Sequence, residues 1–174
     1  MTENLIFGWN VVMEALRSGQ SINRLYVAQD SKVRNLKDVL DLAKAAGIQV
    51  ERIPLAKLNH ITQSKEHQGL AATTSPVDYM PLDTFLAACP PRVLIMALDQ
   101  VQNPKNVGMI MRSAAAAGAD AVVLSAKGGS MVDDAVLRAS AGAAYRVAVI
   151  QENNTTDALR ALKEAGFWVY GLDA

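Results

Sequence analysis

The chain has 174 residues, 51% hydrophobic and 20% charged, a globular composition with room for one large domain or two small ones. Lys and Arg balance Asp and Glu at 17 each, nine against eight over 1–78 and eight against nine over 79–174, so a nucleic-acid contact would have to come from a local patch. One cysteine (Cys89) and two histidines argue against a disulfide framework or a metal centre, and no apolar run reaches the roughly 18 residues of a membrane span. MTENLIFG lacks the basic-then-apolar layout of a secretion signal, and a cytoplasmic setting is expected.

In the first half, WNVVMEALRSG (9–19) places Val12, Ala15 and Leu16 at helical spacing and stops at Gly19. INRLYVA (22–28) reads as a strand. A helix is predicted over 31–47, with Ser31 as cap and Gly47 as stop. Its Lys32, Arg34 and Lys37 are offset by Asp38 and Asp41, which suggests a solvated face. IQVERI (48–53) alternates like a strand, Pro54 opens a short helix, and GLAATTSPV (69–77) is a further strand candidate. Between Pro76 and Arg92 lie four of the six prolines, interrupted by a short helix over 82–88. This divides the chain into a first domain at 1–77, a linker at 78–91 and a second domain at 92–174.

The second half alternates strand-like VLIMALD (93–99), AVVLS (121–125), VAVI (147–150) and FWVYGLD (167–173) with helices predicted at 106–118, 131–141 and 155–165. Near-continuous apolar strands separated by helices imply a parallel sheet covered on both faces, with ligands at the carboxyl ends of its strands. The fold class is therefore α/β throughout.

At one such end stands LDQVQNPKNVGMIMRSA (98–114). Val107, Ile110, Met111 and Ala114 form a stripe for packing on the sheet, and Arg112, about 140° round the helix from Val107, points off it. Asn106 suits an N-cap, Pro104 fixes the turn, and Gly108 admits a close backbone or ligand. Lys105 and Arg112 beside a helix N-terminus suit a phosphate. A well-made turn with a surface arginine fits the same residues, and the pattern is neither a dinucleotide fingerprint nor a P-loop.

The segment 98–124 closely resembles the first signature of the SpoU branch of the SPOUT RNA methyltransferases, with Leu98, Asp99, Val101, Pro104, Asn106, Gly108, Arg112, Ser113 and Ala114 at its fixed positions. RASAGAAYRVAV (138–149) resembles the family's Ser-x-Gly-Ala segment. Residues 6–28 and HQGLAA (67–72) resemble the small RNA-binding domain, similar to ribosomal protein L30e, that precedes the catalytic domain in one subgroup. The resemblance implies an L30e-like domain followed by an α/β-knot domain, and S-adenosylmethionine-dependent methylation of a ribose 2′-hydroxyl, with a guanosine of 23S rRNA as target.

It also implies a homodimer, with RNA as the partner. Asn106 and Arg112 would sit at the target nucleotide. A guanidinium holds its protons too firmly to make an easy base, so holding a phosphate and stabilising the developing alkoxide is the simpler role for Arg112. Gly8, Asn10, His67, Gln68, Gly69 and Lys105 are the candidate RNA contacts, while Trp9 and Trp168 are expected to pack rather than stack on bases. The family's later motifs, which form the knot and most of the methyl-donor pocket, have no counterpart up to Ala174. Leu172, Asp173 and Ala174 are left as the cofactor contacts, and the 174-residue chain alone is expected to bind cofactor weakly and to be inactive. The rival readings are a non-catalytic RNA-binding protein of the L30e type and a tRNA-directed or antibiotic-resistance methyltransferase of the same branch.

Overall fold

The computed structural model describes residues 3–29 and 35–172. A first sheet has the order β1-β4-β2-β3, built from β1 (Asn4–Phe7), β2 (Ile22–Ala28), β3 (Val50–Ile53) and β4 (Leu70–Thr74). β4 runs antiparallel to both β1 and β2, whereas β2 and β3 are parallel. Parallel neighbours need a crossover, and α2 (Leu36–Ala45) lies on it. α1 (Trp9–Ser18) ends on Gly19, whose left-handed φ of 73° returns an N–H to the Ala15 carbonyl. α3 (Leu55–Thr62) follows Pro54 and buries Leu58 with Ile53 and Ala71 on the sheet's other face. Ser31, Lys32 and Arg34 lie outside the described residues, and the helix predicted from 31 is described from Leu36 onward.

The second sheet is parallel, in the order β5-β6-β7: β5 (Ile95–Leu98), β6 (Ala121–Ser125) and β7 (Ala148–Glu152). Alternation along β6 sends Val122 and Leu124 toward α5 (Pro104–Ala116) and α6 (Asp134–Ala139). Ala121 and Val123 face the opposite way, toward α4 (Leu82–Ala88) and α7 (Thr155–Glu164). The sheet thus has helices on both faces, as its unbroken apolar strands required. The proline-rich segment is not all free connection: Met80 donates its N–H to the Val149 carbonyl at 2.8 Å and bridges Ile150 in parallel, while Leu82 and Phe85 are buried.

Two expectations need correction. FWVYGLD forms no strand over its described part. Phe167 and Val169 are half-buried while Trp168, Tyr170 and Leu172 are 86%, 83% and 92% exposed, so a strand's alternation is present without a ladder. The outer side of β7 is met by Met80, that of β5 carries no pairing among the described residues, and period-2 apolarity by itself does not make a ladder. Trp168 accordingly does not pack. Conversely, β1 was not foreseen, because four residues acquire strand character only through pairing with β4.

The two sheets share a continuous core. Val11, Val12 and Ala15 of α1 belong to the same apolar cluster as Val107, Met111, Leu137 and Ala144. At this seam Gly142, with φ of 84°, lies so close to α1 that a Cβ there would stand 2.6 Å from Glu14 Cβ and 3.2 Å from Val11 Cα. Among the described residues, no helix is long and apolar enough to cross a membrane.

Candidate RNA-facing site

The carboxyl ends of the parallel strands carry two interlocked turns. After β5, Gln100 takes a left-handed φ of 52°, and its side chain lies 3.5 Å from where a Cβ on Gly128 would be. The turn after β6 is tied to it by Ser130 N–H to the Val101 carbonyl (3.0 Å), and to β7 by Ala126 N–H to the Glu152 carbonyl (2.8 Å). Tyr79 from the preceding connection accepts the Val132 N–H at 2.9 Å. The elbow is therefore tied to the turn after β6, and that turn is itself held by β7 and by Tyr79.

α5 is capped by Asn103, whose Oδ1 accepts the Lys105 N–H at 2.9 Å, with Pro104 at the first helical position. Asn106, expected as the cap, sits inside the first turn instead. Proline at the first helical position spends no intrahelical donor, so the chain caps one residue ahead of it. This frees the exposed Asn106 side chain from a capping duty. Gly108 is buried because α6 crosses there: a Cβ would meet Ala139 Cβ at 2.5 Å, Val136 O at 2.7 Å and Ser140 N at 2.9 Å. Of the two neighbours the sequence allowed, a backbone or a ligand, the structure shows a backbone.

Val107, Met111 and Ala114 face inward, as predicted. Lys105, Met109, Arg112 and Ala116 are exposed at helical spacing, which makes one outward stripe. No carboxylate among the described residues comes within 4 Å of Arg112, so its guanidinium is not consumed by a surface ion pair. It lines a cleft of about 350 Å³ between α1 and α5, shared with Trp9, Asn10, Glu14, Arg17 and Arg146. Asn106 is not in that cleft; six residues and about 9 Å of helix rise separate it from Arg112. Both are exposed on α5, at different heights and about 120° apart round the helix.

The first-half candidates divide in two. Asn10 reaches the cleft with Arg112. Gly8 and Gln68 instead build the entry to α1: Gln68 Oε1 accepts the Trp9 N–H at 2.8 Å, and Gly8 N–H bonds to the Leu70 carbonyl at 3.1 Å, while the Gly69 carbonyl accepts the Ala28 N–H at 3.0 Å and so ties the turn to β2. His67 is 3% exposed. Its Nδ1 accepts the Gly69 N–H at 2.9 Å, which puts the ring proton on Nε2 for donation to Asn59 Oδ1 at 2.7 Å. Burial pushes its pKa below the ordinary 6.5. The ring expected to face RNA is turned inward, because it closes the turn that positions β4.

Sequence reading missed Arg17 and Arg146. Arg146 meets Glu14 across the seam through both Nε and Nη2, and Arg17 lies 3.8 Å from the same carboxylate. The Arg146 hydrogen bond holds the Glu14 carboxyl below its ordinary value of 4.5, against the opposing effect of burial. The pair is 132 positions apart in the chain, and no local spacing announces it. Ser140–Gly142 of the Ser-x-Gly-Ala segment had a visible signal, explained by packing: Ala141 and Gly142 are both left-handed, and Ser140 Oγ is buried against the Leu137 carbonyl at 3.0 Å.

For the cofactor, Asp173 and Ala174 lie outside the described residues, and Leu172 is 92% exposed and encloses nothing. Among the described residues no three His, Cys, Asp or Glu side chains gather as metal ligands.

Residues 5–80 match the family model for RNA 2′-O ribose methyltransferase substrate binding, and residues 93–174 match that of the SpoU rRNA methylase family. A putative TrmH family tRNA/rRNA methyltransferase of Staphylococcus epidermidis is 33% identical, over all of this chain and 71% of its own length. A counterpart in Staphylococcus aureus is 32% identical with the same coverage. An rRNA methyltransferase from Sinorhizobium meliloti superposes with a TM-score of 0.72 at 26% identity. The same description in its AdoMet-bound form gives 0.74 at 25% identity. These matches cover 94% of this chain but only 60% and 59% of the solved ones.

Proposed function

The chain belongs to the SpoU rRNA methylase family, and from that premise we propose that it serves the transfer of a methyl group to a ribose 2′-hydroxyl of RNA, with a guanosine of 23S rRNA as the target. S-adenosylmethionine is the methyl donor that goes with this family, and a 25%-identical relative was solved with it bound. It supplies an electrophilic methyl group to the ribose oxygen. The part taken by the present residues is to bind and orient the nucleotide and to stabilise the charge that develops on that oxygen.

One observation carries the reading. Arg112, a fixed position of the family's first signature, stands in the second half of α5, about 12 Å of helix rise beyond the elbow, with no carboxylate partner within 4 Å among the described residues, in a cleft shared with Asn10 of the substrate-binding half. A guanidinium so placed has its N–H groups free to donate to a phosphate or an alkoxide. Asn106, released from capping, offers a carboxamide that can both donate to and accept from a ribose. Lys105 adds charge where an RNA strand would leave the strand ends. Gly8 and Gln68 act one step back, by fixing the entry of the helix that carries Asn10, and His67 and Gly69 by closing the turn in which Gln68 sits. Homodimer formation, a role in rRNA processing and a cytoplasmic location belong to the same proposal.

The test is a map of ribose methylation in total RNA from cells lacking the gene. Loss of one 2′-O-methyl group from a 23S rRNA guanosine is expected, with restoration by the gene in trans. Loss from tRNA instead would transfer the assignment to a tRNA-directed enzyme, and an unchanged map would leave only non-catalytic RNA binding.

A further inference from the structure

The cleft beside Arg112 has more positive charge than the reaction at a ribose requires. Three guanidiniums (Arg17, Arg112 and Arg146) line it against one carboxylate, Glu14. Their exposure differs: the Glu14 side chain is 13% exposed, while those of Arg17 and Arg146 are 60% exposed. The negative charge is turned into the protein and the positive charges face the opening. Arg146 gives Glu14 one hydrogen from Nε and one from Nη2, and three of its five N–H groups remain for another acceptor. Holding two edges of the fork on an internal carboxylate also fixes its plane, which reduces the side-chain entropy lost when an external anion binds.

We propose that Arg17 and Arg146 form a seat for a backbone phosphate of the RNA, adjacent to the nucleotide presented to Arg112, with Glu14 as the carboxylate that pre-orients Arg146. The proposal rests on RNA being the substrate and adds two contacts that neither the signature nor the turn chemistry marks. Arg17 comes from α1, and Arg146 closes the short 3-10 turn Ala143–Arg146 before β7. The seat is complete only while the two halves stay packed at Gly142, so RNA held there bridges the substrate-binding half and the catalytic half. A cleft of about 350 Å³ is at the small end of ligand sites and suits one nucleotide unit rather than a folded domain.

The experiment measures binding of a fluorescently labelled single-stranded RNA to the 174-residue chain by anisotropy across a salt series. Each phosphate contact to a single strand contributes about 0.7 to the slope of log affinity against log salt. Arg17→Gln and Arg146→Gln are each expected to weaken binding and lower that slope, and the double variant, which removes the seat for one phosphate, is expected to lower it by about 0.7. Arg160→Gln, on the exposed face of α7, should leave it unchanged. Arg17 meets Glu14 only at 3.8 Å and is mostly exposed, so its variant should keep the wild-type melting temperature and remain informative if Arg146→Gln loosens the seam. Wild-type slopes in both single variants, with RNA binding intact, would overturn the seat and leave the RNA reading standing. A wild-type chain that binds no RNA at any salt concentration would overturn both.

Discussion

Gly108→Ala sets two opposite effects against each other, and the geometry decides between them. Inside a helix, alanine is favoured over glycine by about 1 kcal/mol. Here the new methyl would stand 2.5 Å from Ala139 Cβ, 2.7 Å from Val136 O and 2.9 Å from Ser140 N. Ordinary carbon contacts lie at about 3.5–4.0 Å, so α6 would have to retreat by about 1 Å. Two of the three neighbours are backbone atoms, and no rotamer change relieves them. Overpacking of this kind costs about 1–3 kcal/mol and here sits at the upper end of that range, so the net loss should be about 1–2 kcal/mol. At this chain length that lowers the melting temperature by about 2–8 °C. Circular-dichroism melts, with urea titrations to check that the m-value is unchanged, provide the measurement. An unchanged or raised melting temperature would show that the crossing of α5 and α6 does not explain glycine in the signature.

Asn103→Ala should cost about 1 kcal/mol through loss of the cap on α5, whereas Asn106→Ala should leave the melting temperature unchanged and reduce methylation; equal destabilisation by both would contradict the cap assignment. His67 is buried in its neutral form with its pKa lowered by desolvation, so the unfolded chain binds the proton more readily. Its contribution to stability is fully present above 6.5, is lost as pH falls from there toward the folded value, and is flat below that. His67→Gln should remove this dependence, and an identical pH profile in wild type and variant, read by urea denaturation, would refute it.

Much of the architecture was legible because local chemistry and tertiary packing agree. Gly19 stops α1, β2 spans the residues its β-rich run suggested, and α4 survives among four prolines because Leu82 and Phe85 find a sheet to cover. Legibility fails where a residue's state depends on a remote partner. β1 exists through β4, and the alternation at 167–172 is not paired with any edge. His67 looked like an exposed turn residue because its neighbours are polar, yet Asn59 and Gly69 together draw the ring inside. The cap error was avoidable, since Asn-Pro already places the proline at the first helical position. Spacing turned Arg112 off the packed stripe and the family resemblance gave it a role, but the cleft around it comes from α1 and the turn before β7, which the chain brings together only by folding.

The central claim is that Arg112 is held open for RNA and contributes little to the fold. Cells lacking the gene, complemented with Arg112→Ala, give the most direct reading when 2′-O-methylation at the affected nucleotide is quantified beside the melting temperature of the purified variant. The account predicts a wild-type melt with methylation reduced by about a hundredfold or more. Wild-type methylation in that variant, or a collapse of its fold, would contradict it.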